Sequence, residues 1–157
     1  MSIIPTSAEP QPMTDEQKFF YDLKGWLLLP GVLEEGLLEA VREHVYKLKN
    51  EPESLPLHER YSLAGPAQEL VDHPAIAGVL AGIIAPDPDE HSYGFRCESS
   101  FAMIRTHGEQ GSAPHCGPLV GPMAYQLIKG QIWSGLTRVV WELSEVKMGG
   151  GGTPIMS

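Results

Sequence analysis

The side chains best suited to chemistry lie in one loop between two stretches of β-like sequence. Residues 106–118 include His107, Glu109, His115 and Cys116 within ten positions. Imidazole and thiolate groups are good ligands for divalent transition metals, and loops carried on a rigid scaffold often hold binding groups. The spacing alone leaves two interpretations open, a metal site and a turn-rich loop whose polar groups face water.

The other histidines have weaker claims to a chemical role. His44 falls inside a helical pattern, where we expect it to be solvated. His73 precedes Pro74 at a helix start, which predicts a positional role. His58 and His91 fall in loops.

The sequence gives little support for a hydrolase or a phosphate-binding site. Neither Ser112 nor Ser134 has the GxSxG context of a nucleophile elbow. A cation next to Cys116 would activate its thiol, but adjacent residues on a strand point to opposite faces, which disfavours a direct pair with His115. The glycine run at 149–152 lacks the Gly-Lys-Ser/Thr ending of a phosphate loop and predicts a turn.

Composition narrows the class of protein. The chain has 157 residues and a net charge of −9, which fits one domain and argues against a nucleic-acid or anionic-membrane surface. No apolar run approaches the roughly 20 residues of a membrane span, and the N-terminus lacks the pattern of a secretory signal. Cys97 and Cys116 form neither a CxxC pair nor a disulfide framework. We therefore expect a cytoplasmic protein.

Helical signals dominate the first half, after a proline-rich stretch at 1–13 that predicts a flexible arm. Thr14 and Gln17 form a capping box that should begin a helix, and Gly25 should end it. The pattern then predicts a short strand at 26–29, a long helix at about 34–49, a short helix at about 67–71, and a helix beginning at Pro74.

The second half reads as β-structure. Segments 99–106, 124–128 and 131–146 are rich in β-branched, aromatic and other apolar residues, which favour strands. After the glycine run, residues 153–157 resemble the start of a returning strand. We therefore expect either that a partner strand comes from elsewhere or that the chain is the front part of a longer protein.

Three segments resemble the phytanoyl-CoA dioxygenase-like family. They are Thr14–Leu33, with the capping box and the Gly25-Trp26 turn, Asp72–Ile76 before the third helix, and Leu143–Ile155 with the glycine run. The similarity extends over most of residues 14–157, and it rests on the order and spacing of these segments. The resemblance implies a mainly β fold with N-terminal helices, namely a double-stranded β-helix (a jelly-roll, cupin-like barrel) that is incomplete at its C-terminus. Its helical part would cover about 14–90 and its β part about 93–157.

The resemblance also implies Fe(II)- and 2-oxoglutarate-dependent oxygenation of a small organic substrate. His115 corresponds to the first iron ligand, and Arg105 lies near the position of a residue that contacts the keto acid. Phe101 and Met103 would alternate with Arg105 on one face, either lining the barrel or packing in its core. The chemistry requires a facial triad, in which three protein ligands leave positions open for the keto acid and O₂.

Two departures from the family pattern limit this interpretation. Gly117 stands where the family has the aspartate ligand. Chloride could fill that position, as in iron- and 2-oxoglutarate-dependent halogenases; Glu109 or Glu142 could supply a carboxylate; or the chain could be a non-catalytic jelly-roll binding module with a degenerate metal site. The second histidine ligand and the distal arginine of the family have no counterpart in this sequence. We therefore expect the chain alone to be inactive as an oxygenase. Neither the substrate nor the oligomeric state is indicated.

Overall fold

The computed structural model describes residues 8–86 and 94–157. Its helices are α1 (Asp15–Lys24), α2 (Glu35–Asn50) and α3 (Pro74–Ile84), with short 3₁₀ helices at Pro52–Ser54, Leu57–Glu59 and Gly65–Leu70. Two strands follow, β1 (Tyr125–Ile128) and β2 (Gln131–Ser134). The predicted loop position of His91 lies outside the described residues.

The first helix begins and ends where the sequence predicted. Thr14 Oγ1 accepts a hydrogen bond from the Gln17 backbone N–H, and the Gln17 side chain accepts one from the Thr14 N–H. At the other end Gly25 adopts a left-handed conformation with φ of 77°, and its N–H donates to the Tyr21 carbonyl. Both caps satisfy backbone groups that a helix end leaves unpaired, and so the capping-box prediction is confirmed.

The long helix and the Pro74 start are also confirmed, with α2 displaced by one residue at each end from the predicted range. The predicted helix at 67–71 is a 3₁₀ helix at Gly65–Leu70 instead. The predicted strand at 26–29 does not form; those residues connect α1 to α2 without regular structure.

Two small cores hold the described residues together. The first, called the α1–α3 core, joins the segment before α1 to α1, α3 and β2. It consists of the buried Met13, Tyr21, Ile83 and Ile132. The second, called the α2 core, packs α2 on the third 3₁₀ helix, and it consists of Val41, Val45, Ala67 and Leu70. Trp141 and Leu143 cover the α2 core from the second half of the chain.

The strands form one antiparallel hairpin. Tyr125 pairs with Ser134 and Ile128 with Gln131, around the two-residue loop Lys129–Gly130. Both loop residues have positive φ, 51° and 80°, as in the type I′ turn that matches the twist of paired strands.

The predicted jelly-roll barrel is wrong. Among the described residues the structure contains three α-helices and a single two-stranded sheet, so it is not mainly β. Segment 99–106 forms no strand, and of 131–146 only the first four residues do. β-propensity reports how well a side chain suits a pleated surface, but a strand also requires a neighbouring backbone to pair with. The unpaired segments leave large apolar side chains exposed, among them Phe101, Met103, Leu136 and Val140.

Candidate functional site

His115 is exposed in the loop at 106–118. Its Nδ1 is 3.1 Å from the carbonyl oxygen of Ala113. A carbonyl can only accept a hydrogen bond, so in the neutral ring Nδ1 carries the proton and the lone pair is on Nε2. Metal-binding histidines commonly have this arrangement, because the second-shell hydrogen bond fixes the tautomer and the ring orientation. The exposed Nε2 of His115 can therefore accept a metal ion or a proton.

The neighbouring polar side chains of the loop do not converge on His115. The Glu109 carboxylate accepts a 2.7 Å hydrogen bond from the Thr106 hydroxyl, and the Glu109 N–H donates to the Thr106 carbonyl. The hydrogen bonds with Thr106, together with the nearby charge of Arg105, lower the pKa of the Glu109 carboxyl below its ordinary value. Glu109 is thus an ionised carboxylate engaged at the start of the loop. Cys116 is a free, exposed thiol.

Gly117 leaves open space at the position of the expected aspartate. A Cβ at Gly117 would meet no atom within 4 Å, and its backbone is outside the positive-φ region. The structure therefore contains no carboxylate two residues after His115, although it would accommodate one there.

These residues do not fit a complete iron and 2-oxoglutarate site. A facial triad needs three ligands, and in the described ranges 8–86 and 94–157 no group of three or more His, Cys, Asp or Glu side chains could hold a metal ion. His115 therefore belongs to no three-ligand cluster among the described residues.

Arg105 is exposed, and it lies in the segment where the predicted strand is absent. The predicted lining residues Phe101 and Met103 are also exposed, at 61% and 56%. The Phe101 ring instead lies 5.7 Å from the Arg138 guanidinium carbon, a cation–π distance. Among the described residues, Arg105 thus lies on an open surface and lines neither of the two grooves found.

Two surface grooves lie elsewhere, against α3. One, of about 460 Å³, is lined by Pro10 and Pro12 and by small residues of α3. The other, of about 430 Å³, lies between α1, α3 and the hairpin, and Lys18 and Asp22 are its charged residues. Neither groove is lined by Arg105 or His115.

The expected solvation of His44 is wrong. Its side chain is buried, and its Nε2–H donates a 3.2 Å hydrogen bond to the Tyr61 carbonyl. The signal was present in the sequence: position 44 follows Val41 by three residues and precedes Val45, so it lies on the apolar face of α2. His44 therefore ties α2 to the loop before the third 3₁₀ helix.

The positional role of His73 is confirmed. His73 Nδ1 accepts a 3.2 Å hydrogen bond from the Ala75 N–H at the start of α3. The ring is almost completely buried, and it lies edge-to-face against Trp141 with 5.5 Å between ring centroids. His73 therefore connects the cap of α3 to the second half of the chain.

A polar cluster between α1 and the hairpin was not predicted. Tyr125 donates its hydroxyl hydrogen to the Asp22 carboxylate. Tyr21 donates to the buried Ser134 hydroxyl over 3.4 Å, and Thr137 donates to the same oxygen over 3.2 Å. Burial, and secondarily the Asp22 carboxylate, raise the pKa of Tyr125 above its ordinary value. The partners in the two tyrosine hydrogen bonds are more than a hundred positions apart, so no local pattern could have indicated them.

Within the part of the chain that the structure describes, no helix combines the length and apolar character that crossing a membrane requires. Comparison of the chain with protein-family models, with curated proteins and with solved structures gives no match.

Proposed function

We propose that this chain is a phytanoyl-CoA dioxygenase-like protein of the Fe(II)- and 2-oxoglutarate-dependent oxygenase class, acting in the cytoplasm on a small organic substrate. The order and spacing of its three family-like segments support the proposal. The observation that carries it is the hydrogen bond from His115 Nδ1 to the Ala113 carbonyl, which leaves Nε2 as an exposed metal-binding atom. His115 is the one iron ligand that we assign to the described residues.

The proposal assigns metal binding to His115 and no step of oxygenation to these residues. When bound, iron and 2-oxoglutarate would supply the oxidising chemistry. One imidazole cannot hold the metal in the geometry of a facial triad. We expect the 157-residue chain to bind divalent metal only weakly and to lack oxygenase activity.

Metal binding tests the role of His115. Anaerobic titration with Fe(II), or with Co(II) as a paramagnetic probe, should perturb the NMR signals of the loop at 106–118. His115→Ala should abolish this effect. His107→Ala is the matched control, because His107 is an exposed histidine of the same loop, and it should leave the effect unchanged. Equal binding by the parent chain and His115→Ala would overturn the assignment.

Gly117 offers a gain-of-function test. Gly117→Asp introduces a carboxylate two residues after His115 at a position with open space. We expect metal affinity to rise about tenfold or more, since the new ligand needs to contribute only about 1.4 kcal/mol for that change. Gly111→Asp is the control, because Gly111 also has open space and lies in the same loop. An equal rise in both variants would indicate a general effect of negative charge and count against joint ligation by His115 and the introduced carboxylate.

The small residue at position 117 also favours a second candidate, a halogenase-like enzyme in which chloride occupies the place of the aspartate. Chloride should then strengthen metal binding to the parent chain and have little effect on Gly117→Asp. Chloride-independent binding in both would contradict this candidate. If the parent chain binds no metal and Gly117→Asp gains none, the remaining interpretation is a non-catalytic binding module.

A further inference from the structure

His73 is the most completely buried polar side chain among the described residues, with 1% of its surface exposed. The backbone N–H of Ala75 can only donate, so His73 Nδ1 must be the acceptor of their hydrogen bond. The proton of the neutral ring is therefore on Nε2. That nitrogen is buried without a hydrogen-bond partner, and an unpaired buried polar group costs about 1–3 kcal/mol.

Three parts of the fold meet at this ring. His73 caps α3 and follows the 3₁₀ helix of the α2 core, and its ring contacts Trp141. Trp141 in turn packs against the α2 core. The ring thus lies where the helical half of the chain contacts residues from its second half.

The neutral form of the ring is required by this arrangement. Protonation would place a hydrogen on Nδ1 and eliminate the acceptor for the Ala75 N–H. It would also place a cation at the positive end of the α3 dipole and in a site with almost no access to water. Each of these effects opposes protonation in the folded state.

The charged groups with the largest electrostatic effect on His73 are acidic. They are Glu34 at the start of α2, Glu69 in the 3₁₀ helix, and the adjacent Asp72. Their attraction favours the imidazolium, but all three are solvent-accessible, so water and salt screen them. Burial is the larger effect, and it lowers the pKa of His73 below its ordinary value of 6.5.

We propose that His73 is an acid-sensitive switch, whose protonation releases the α3 cap and detaches Trp141 from the helical half of the chain. The ring accepts a proton more readily once it has left its buried site. Because the unfolded or detached state binds the proton more readily, the packed state is fully favoured above the ordinary pKa. It loses stability as pH falls from that value toward the lower folded-state pKa.

The test follows Trp141 alone. In the 157-residue chain carrying Trp26→Phe and Trp133→Phe, Trp141 is the remaining tryptophan. Acrylamide quenching of its fluorescence should increase as pH falls from about 8 to about 5, across the range in which histidine titrates, with a midpoint below 6.5. His73→Asn should eliminate this transition, because asparagine can still accept the Ala75 N–H but does not titrate. His58→Asn is the control, since His58 is an exposed histidine, and it should retain the transition.

A transition that persists in His73→Asn, or an absence of any transition in the parent, would overturn the proposal. If His73→Asn fails to fold at neutral pH, NMR titration of the parent decides. The His73 ring should then titrate below the ordinary histidine value of 6.5, and the Trp141 indole signal should shift with the same midpoint. A His73 midpoint at or above 6.5 would refute the switch.

Discussion

Two glycines of α3 provide a matched pair for testing how residues 8–13 pack on the helical half. Gly78 and Gly82 are one turn apart on α3. A Cβ at Gly78 would overlap the Gln11 carbonyl oxygen, whereas a Cβ at Gly82 would meet nothing within 4 Å. Alanine at Gly82 should therefore improve the helix without disturbing any contact.

The expected energies follow from these contacts. Replacing a helical glycine by alanine stabilises by about 0.5–1 kcal/mol, and Gly82→Ala should realise that gain. Gly78→Ala has the same intrinsic gain but must displace Gln11 and with it Met13, which is only 5% exposed in the α1–α3 core. Exposing a buried methionine costs about 1.5–3 kcal/mol. The free energy of unfolding of the two variants should differ by about this cost.

Urea denaturation followed by far-UV circular dichroism measures the difference. Gly82→Ala should unfold at a higher urea concentration than the parent, and Gly78→Ala at a lower one. Limited proteolysis should also cleave the segment before α1 faster in Gly78→Ala. If Gly78→Ala is as stable as Gly82→Ala, then Gln11 does not lie against α3 and the packing described for residues 8–13 is wrong.

Two further predictions concern the start of α1 and its contact with the hairpin. Thr14→Ala should destabilise the chain by about 1 kcal/mol because it removes the acceptor for the Gln17 N–H. Thr14→Ser should retain most of the stability, and an equal loss in both variants, measured by urea denaturation, would contradict the capping role. In a spectrophotometric pH titration, one tyrosine should ionise above the ordinary value of 10, and Tyr125→Phe should remove that component. Asp22→Asn should lower the pKa of Tyr125 only in part, because burial is the larger cause of its increase. A full return of the Tyr125 pKa to the ordinary value would show that Asp22, and not burial, is the larger cause.

The helical half could be predicted because its signals are local. The Thr14 capping box, the left-handed Gly25 and the proline at the first position of α3 each act within one helical turn. The expected solvation of His44 is wrong for a different reason. A histidine is polar, but position 44 lies on the apolar face of α2, where the ring is buried and a hydrogen bond to the Tyr61 carbonyl satisfies it.

The second half was predicted less well because strands depend on distant partners. Residues 125–134 form a hairpin across a two-residue turn, a local event. The segments at 99–106 and 135–146 have similar β-propensity but no paired backbone in the described structure. The contacts of Tyr125 with Asp22 and of His73 with Trp141 likewise join positions far apart in sequence. For the candidate site, the loop and His115 stay predictions, and the sequence does not indicate the tautomer of the His115 ring, which depends on the Ala113 carbonyl.

We propose His115 as a metal ligand, and the described residues around it do not complete the three-ligand set of an iron and 2-oxoglutarate site. The most direct measurement is an anaerobic titration of the 157-residue chain with Fe(II) and 2-oxoglutarate, followed by visible absorption. We expect no metal-to-ligand charge-transfer band, together with weak metal binding that His115→Ala removes. A charge-transfer band in the parent chain would show that the keto acid chelates a bound iron, and the site would then be complete.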